Sequence, residues 1–158
     1  MGADDKPALY RELGIQLAAL IADEADIVAN TANMAALIYH RLPELNWAGV
    51  YFAREGELVL GPFQGQPACV RIAWGKGVCG TAAARGATVI VPDVDAFPGH
   101  IACDAASRSE LVVPLLSGGR VVAVFDLDSP RPARFDDEDR AGIELLAAIL
   151  VRNHPDWR

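Results

Sequence analysis

Residues 61–113 read GPFQGQPACVRIAWGKGVCGTAAARGATVIVPDVDAFPGHIACDAASRSELVV, and the arrangement of the rest of the chain follows from them. All three cysteines of the chain, Cys69, Cys79 and Cys103, lie in this stretch. Cys79 and Cys103 have glycine-rich or loop-like surroundings, where a thiol is reachable and nearby groups set its pKa. We therefore expect thiol redox chemistry on a small molecule.

This central stretch alternates loops with short regular elements. Prolines and glycines predict a loop at its start, and Gly75, Gly77 and Gly86 mark the two ends of a helix of small residues. A long connection contains the sequence FPGH, and connections of this length often carry function in compact domains. In order, we predict a loop (61–67), a strand (69–72), a helix (78–84), a strand (88–91) and the long connection (92–107).

Two helices and a hairpin precede the central stretch, and a further strand and a helix follow it. Pro7 suits the first turn of the first helix, Asp26 is a candidate cap of the second, and Pro43 ends it. Outside the stretch we predict helices (6–22, 26–42 and 136–151) and strands (45–54, 57–60, 109–116 and 120–128). Because hairpins dominate this order, we expect an α+β fold with helices packed on a mostly antiparallel sheet.

Composition narrows the function classes. The 158 residues fit a single domain over residues 1–158, and an apolar content of 52% is typical of a folded chain. A net charge of −7 disfavours binding to nucleic-acid phosphates. The N-terminus lacks an apolar signal segment and no run approaches the roughly 18 apolar residues that span a bilayer, so we expect a cytoplasmic protein without membrane contact. Three cysteines in that compartment serve packing, metal binding or catalysis.

The three cysteines differ in setting. Cys103 follows His100 by three residues, and a nearby imidazolium would favour its reactive thiolate form. Cys79 begins a predicted helix, where the helix dipole lowers a thiol pKa, although the small residues around it are equally consistent with packing. Cys69 alternates with its neighbours in a short strand, which favours burial. A Cys₃His zinc site from these residues stays open as an alternative, but no C-x₂-C pair supports it.

The carboxylates of Glu110, Asp126 and Asp128 cluster only if the last two predicted strands, 109–116 and 120–128, pair in a suitable register. Asp126 and Asp128 share a face of the last strand, because side chains alternate along a strand. A three-residue loop (117–119) would place Glu110 opposite Asp126 on that face, whereas a two-residue Gly-Gly turn would place it on the other face. Clustered carboxyl groups have raised pKa values. A protonated one can donate a proton to a departing oxygen, and an ionised one can hold a substrate ammonium.

Trp47 and Tyr51 share a face of the first strand, and Gly49 leaves space between their side chains. Such a slot fits a flat or soft apolar group. Ordinary core packing is the simpler interpretation of the same pair.

Three segments together resemble the free methionine-(R)-sulfoxide reductases, a branch of the GAF-domain fold. They are GPFQGQPACVRIAWGKGVCGTAAARG, DVDAFPGHIACDAASRSELVVPL and GGRVVAVFDLDSP, and the resemblance covers about residues 46–139. It implies a GAF-like, central six-stranded antiparallel sheet with flanking N- and C-terminal helices, usually in a homodimer. It also implies reduction of the free amino acid, methionine (R)-sulfoxide, and not of protein-bound methionine.

The resemblance implies that Cys103 is the nucleophile and that Cys69 and Cys79 are recycling thiols. We therefore expect Cys103 to attack the sulfoxide sulfur and to become a sulfenic acid. This sulfenic acid condenses with a second thiol, for which Cys69 is the first choice and Cys79 the second. Thioredoxin then reduces the disulfide as an external reductant, and no metal or tightly bound cofactor is required.

The resemblance also implies a substrate pocket. Trp47 and Tyr51 match its aromatic residues. Glu110, Asp126 and Asp128 match the acids that handle the sulfoxide and the substrate amine. Among them, we expect Glu110 and Asp128 to polarise or protonate the oxygen and Asp126 to help to bind the ammonium.

The main alternative is a GAF module that binds a small molecule as a sensor without catalysis, because a fold alone does not fix a function. A sensor would release its ligand unchanged and would keep its thiols intact. A structural zinc protein is a third, weaker interpretation.

Overall fold

The computed structural model describes residues 5–101 and 105–158. Its strands are β1 (Trp47–Arg54), β2 (Glu57–Gly65), β3 (Arg71–Ala73), β4 (Val89–Val91), β5 (Ser109–Ser117) and β6 (Arg120–Ser129). They form one six-stranded sheet in the order β3-β2-β1-β6-β5-β4, and every neighbouring pair is antiparallel. The α+β class and the antiparallel six-stranded sheet expected from the sequence are confirmed.

The helices of the described residues are α1 (Lys6–Ile21), α2 (Ile27–Arg41), α3 (Gly77–Arg85) and α4 (Asp137–Arg152). Asp26 caps α2 by accepting a hydrogen bond from the backbone N–H of Ala29 at 3.0 Å, and Gly86 ends α3 in the left-handed region with φ 62°. The four predicted helices are confirmed to within one residue at each end. None of the helices in this part of the chain combines the length and apolar character that a bilayer crossing requires.

The sheet has two buried faces, because successive side chains of a strand point to opposite sides. One face packs against α2 and α4, with α1 across them, and buries the larger core, which includes Leu13 and Phe125. The other face packs against α3 with a smaller core, which includes Val124. Alternation along β6 therefore directs Asp126 and Asp128 to the α3 side of the sheet.

A buried carboxylate joins α1 to α4. Asp139 is only 1% exposed and accepts hydrogen bonds from Tyr10 Oη at 2.7 Å and from Lys6 Nζ at 2.8 Å. Arg134 Nη1 lies 3.2 Å from the same carboxylate, and Asp136 forms a capping box with Asp139 at the start of α4. Because its oxygens have several partners, this buried charge fixes the first helix against the last.

The second strand is longer than the sequence predicts. Residues 61–67 have the composition of a loop, but β2 continues through most of this segment. A bulge interrupts its pairing with β1, because Tyr51 pairs with Leu60 whereas Gly49 pairs with Phe63. A bulge leaves residues outside the ladder, which is where a proline without an N–H donor is tolerated. The loop prediction was wrong because the bulge accommodates residues that would break a regular strand.

The turn between β5 and β6 settles the register that the sequence left open. It is the two-residue turn Gly118-Gly119, in which both residues have positive φ values of 60° and 77°. This turn alone would place Glu110 on the face away from α3. However, a bulge beside Leu115 shifts the register by one residue, and Glu110 pairs with Asp128. The prediction that a two-residue turn places Glu110 on the face away from Asp126 and Asp128 was therefore wrong, because the sequence does not reveal the bulge.

Candidate active site

A small cavity lies on the face of the sheet that packs against α3. It has a volume of about 40 Å³ and is bounded by β1, β5, β6, the first turn of α3 and the loop at His100. Six of the eight site residues predicted from the sequence line it: Trp47, Tyr51, Cys79, Glu110, Asp126 and Asp128. Residues far apart in the sequence thus bring aromatic rings, carboxyl groups and a thiol into one cavity.

The apolar wall of the cavity consists of stacked rings. Trp47 and Tyr51 stack with their centroids 5.9 Å apart, and Phe63 stacks on Trp47 at 5.2 Å. Gly49 allows this close packing, because a Cβ at that position would lie 2.3 Å from Phe63 Cβ. Trp47 Nε1 donates a hydrogen bond to the carbonyl oxygen of Gln66 at 3.1 Å, which fixes the indole ring. Sequence reasoning missed Phe63, because its segment has the composition of a loop.

The polar wall holds three carboxyl groups. Glu110, Asp126 and Asp128 are 6%, 6% and 9% exposed, and Glu110 lies directly opposite Asp128 in the hairpin. Burial, together with the charges of its two acidic neighbours, raises the pKa of Asp126 well above its ordinary value. Among the described residues, Asp126 Oδ1 has no hydrogen-bond partner. The cavity is therefore suited to a ligand that brings a hydrogen-bond donor or a positive charge.

Cys79 lies in the first turn of α3 with its side chain in the cavity wall. Its Sγ is 4.0 Å from Glu110 Oε2, and the residue is 4% exposed. Burial, followed by the nearby charge of Asp126, raises the pKa of the Cys79 thiol well above its ordinary value. The expected lowering of this pKa by the helix dipole was wrong, because a dipole effect of about 0.3–1 kcal/mol is smaller than the cost of burying a thiolate among carboxyl groups. The thiol of Cys79 therefore stays protonated near neutral pH.

Similarity to known proteins assigns the chain that forms this cavity to a family. The profile of the GAF domain matches residues 28–152. The free methionine-R-sulfoxide reductase of Escherichia coli (strain K12) is 49% identical over 148 residues, which cover 94% of this chain and 90% of that protein. The chain belongs to the free methionine-R-sulfoxide reductase branch of the GAF-domain family.

Two further similarities agree with this assignment to the reductase branch. The protein YtsP of Bacillus subtilis (strain 168) is 57% identical over 150 residues, which cover 94% of this chain and 92% of that protein. An X-ray structure of the free methionine-R-sulfoxide reductase of Neisseria meningitidis in complex with its substrate superposes with a TM-score of 0.92 at 50% identity, covering 97% of this chain and 92% of that chain. The resemblance inferred from the three sequence segments is confirmed, and with it the GAF-like fold.

Of the other two cysteines predicted to serve this reductase, the structure describes Cys69. Cys69 precedes β3, which begins only at Arg71, so the strand predicted from residue 69 was wrong at its start. The reason is that β3 pairs with only three residues of β2. Tyr51 Oη donates a hydrogen bond to the Cys69 carbonyl oxygen at 2.9 Å, which ties this loop to the cavity. Cys69 is disulfide-bonded, whereas Cys79 carries a free thiol; the predicted nucleophile, Cys103, lies outside the described residues.

His100 also lines the cavity of the reductase, although the sequence suggested only a role beside Cys103 or zinc for it. Its Nε2 lies 3.7 Å from Glu110 Oε1, and the two side chains are 15% and 8% exposed. The nearby carboxylate of Glu110 raises the pKa of His100 above its ordinary value. Sequence reasoning could not find this pair, because the position of Glu110 depends on the bulge between β5 and β6.

Three donor atoms in the cavity are close enough together to share a metal ion. Those of Cys79, Glu110 and Asp126 all lie within 4.8 Å of one another. Zinc accepts sulfur and carboxylate ligands and binds cysteine as the thiolate. The Cys₃His set considered from the sequence loses Cys69, whose sulfur is disulfide-bonded.

Proposed function

We propose that this protein reduces free L-methionine (R)-S-oxide to methionine. The observation that carries the proposal is the cavity, in which the rings of Trp47 and Tyr51 share one space with three buried carboxyl groups. Stacked rings suit the methyl group and sulfur of the substrate, and the carboxyl groups suit its ammonium. The similarity to reductases of this name from Escherichia coli and Neisseria meningitidis supports the same substrate.

The preference for the free amino acid is explained by Asp126. Its Oδ1 has no hydrogen-bond partner in the described part of the chain, and a substrate ammonium would supply one. A methionine inside a polypeptide has no ammonium group and would leave this oxygen unpaired. An unpaired buried polar group costs about 1–3 kcal/mol, which disfavours binding of the peptide-linked sulfoxide.

Cys103 supplies the electrons for the reduction. Its thiolate attacks the sulfoxide sulfur while Glu110 or Asp128 donates a proton to the oxygen. The Cys103 sulfur bonds transiently to the substrate sulfur. The protonated oxygen then moves to the Cys103 sulfur as the substrate sulfur–oxygen bond and this sulfur–sulfur bond break, so methionine leaves and Cys103 becomes a sulfenic acid. The substrate sulfur gains two electrons and the Cys103 sulfur loses two, so the step needs no further oxidant or reductant. Asp126 holds the substrate ammonium during this transfer.

Cys69 is the first choice for the thiol that condenses with the sulfenic acid and releases water. Its half-buried position in a loop and its participation in a disulfide support this assignment. The thiol of Cys79 is the second choice, because its raised pKa leaves little of the nucleophilic thiolate. A thioredoxin dithiol then exchanges with the disulfide and is itself oxidised. The proposed cycle uses no metal and no tightly bound cofactor.

Turnover of the free sulfoxide with thioredoxin, thioredoxin reductase and NADPH tests this function. We expect Cys103→Ser to abolish turnover and Cys79→Ser, the matched control, to retain most of it. Full activity of the Cys103→Ser protein would end the mechanism. A wild-type protein that binds the sulfoxide and keeps all its free thiols would instead be a non-catalytic GAF sensor.

We further propose that the protein is a cytoplasmic homodimer in which each chain is a single domain over residues 1–158. A reducing compartment would keep the thioredoxin-like reductant in its dithiol form. Sedimentation equilibrium of the purified protein should give twice the chain mass of 16.8 kDa. A monomer at the concentrations used for the activity assay would contradict the dimer and would leave the chemistry untouched.

A further inference from the structure

A short bonded turn places the imidazole of His100 at the cavity. The 3₁₀ helix Val94–Ala96 comes before it, and its first N–H donates to the carbonyl oxygen of Arg108 at 2.9 Å. Phe97 packs against the core on the α3 side, and its carbonyl oxygen accepts a hydrogen bond from the N–H of His100 at 3.2 Å. Gly99, with φ 75°, lets the chain reverse between them. The side chain of His100 is 15% exposed, so it reaches both the cavity and solvent.

Titratable groups face His100 from each element around the cavity. Glu110 on β5 is the direct contact, with His100 Nε2 and Glu110 Oε1 3.7 Å apart. The nearby carboxylate of Glu110 raises the pKa of His100, and the charge of Asp95 adds to this. The other titratable groups that line the cavity in the described ranges are Tyr51, Lys76, Cys79, Asp126 and Asp128. Within those ranges, His100 is the cationic side chain in contact with Glu110, because Lys76 is exposed and forms no ion pair there.

Glu110 needs a source of protons if it acts as an acid. Its residue is only 6% exposed, and each turnover removes one proton from it. A buried carboxylate regains a proton quickly only from a positioned donor or a chain of water molecules. An imidazole is suited to this task, because it gains and loses a proton close to neutral pH.

We propose that His100 is a positioning residue that acts through Glu110, holding its carboxyl group and passing to it the proton that Glu110 donates to the sulfoxide oxygen. This inference rests on the proposed function. The proton moves from Nε2 of the imidazolium to Oε1 of Glu110, and the neutral imidazole then takes a proton from solvent. No electrons move in this exchange. The two atoms must approach by about 1 Å to reach the length of a charge-assisted hydrogen bond.

Single-turnover formation of methionine by the reduced full-length protein, without thioredoxin, isolates this step. We expect His100→Ala to slow the step about 100-fold, the lower end of the effect of losing an acid–base group. The concentration of sulfoxide that gives half the maximal rate should change by less than about twofold, because the proposed role of His100 is to act through Glu110 and not to bind the substrate. Added imidazole should restore the rate in proportion to its concentration. His40→Ala, at an exposed histidine, is the matched control. Its rate should equal that of the wild type and should not depend on added imidazole.

The pH profile gives a readout that a purely structural role would not change. The wild-type rate should fall as the pH rises through the raised pKa of His100, because only the imidazolium can give up the proton. His100→Gln keeps a side chain of similar size but does not titrate. It should be slow, should lose this alkaline limb, and should gain nothing from imidazole, because the glutamine still fills the space.

Three results would overturn the inference. The first is a His100→Ala rate within about twofold of the wild type, since loss of an acid–base group has larger effects. The second is a slow His100→Ala protein with a normal melting temperature that imidazole does not restore. The third is an alkaline limb that persists in His100→Gln. A wild-type protein without activity on the free sulfoxide would refute the proposed function itself, and this inference with it.

Discussion

Replacement of Asp126 by asparagine should weaken substrate binding without weakening the fold. Asp126 is 6% exposed, and its Oδ1 has no hydrogen-bond partner among the described residues. A substrate ammonium would form a charge-assisted hydrogen bond with this oxygen, and breaking such a buried pair costs about 2–4 kcal/mol. At about 1.4 kcal/mol for each factor of ten, Asp126→Asn should bind the amino acid about 30- to 700-fold more weakly.

The stability of the free protein should respond differently to the same change. Burial and the neighbouring acids raise the pKa of Asp126, so its carboxyl group keeps a proton at pH values where an ordinary aspartate is ionised. A neutral amide of the same shape should leave the melting temperature unchanged or raise it. A bound ammonium favours the ionised form, so binding should release a proton. Affinity should therefore rise with pH until the raised pKa of Asp126 is passed.

Isothermal titration with L-methionine, the unreactive product, measures both quantities. Titrations in two buffers of different ionisation enthalpy give the affinity and the number of protons released. Asp23→Asn, at an exposed acid, is the matched control and should behave as the wild type does. Wild-type affinity in Asp126→Asn, or a proton release equal to that of the wild type, would refute this role for Asp126.

Three further predictions concern packing and pH. Gly49→Ala should lower the free energy of unfolding in urea by about 1–3 kcal/mol and reduce turnover, because its Cβ would lie 2.3 Å from Phe63 Cβ. Asp139→Asn should lower the free energy of unfolding in urea by about 3–5 kcal/mol, because it leaves buried cationic partners without their counter-charge. Burial lowers the pKa of His154, whose Nε2 lies 2.9 Å from Asn30 Nδ2. The unfolded state therefore takes up this proton first, so the free energy of unfolding in urea should fall as the pH drops below about 6.5, and His154→Gln should flatten that fall.

Matched variants separate these effects from general damage. Gly14→Ala adds a Cβ in a helix where the nearest side-chain atom, on Ile149, is 3.3 Å away, so it needs only a small shift of a side-chain end and should cost less stability than Gly49→Ala. Asp137→Asn changes an exposed acid of α4 and should be nearly neutral. A Gly49→Ala protein as stable as the wild type, or a loss below about 1 kcal/mol in Asp139→Asn, would contradict the packing argument. A stability slope that survives His154→Gln would contradict the pH argument.

The helices could be predicted from the sequence because their signals are local. Pro7 and Asp26 mark the first turns of α1 and α2, and Gly86 marks the end of α3. The strand that contains Trp47 was predictable for the same reason, since alternation needs only neighbouring residues. The true end of β2 was not, because the stacking of Phe63 on Trp47 depends on the pairing of two strands.

The candidate site was predictable in its residue types and only partly in its geometry. Asp126 and Asp128 had to share a face, but the position of Glu110 depended on a bulge that no local pattern indicated. The pKa of Cys79 was misjudged for a similar reason. A helix start is visible in the sequence, whereas the carboxyl groups that oppose the thiolate come from other strands. His100 ends the sequence FPGH, but its contact with Glu110 follows from tertiary structure alone.

The most direct test of Cys103 as the nucleophile is the cysteine linkage after one turnover. Fully reduced protein is mixed with one equivalent of free methionine-(R)-sulfoxide without any reductant, the remaining thiols are alkylated, and the peptides are mapped by mass spectrometry. We expect one methionine per chain, a disulfide between Cys69 and Cys103, and an alkylated Cys79. Methionine formation by Cys103→Ser, or three alkylated cysteines in a wild-type protein that has released methionine, would contradict this chemistry.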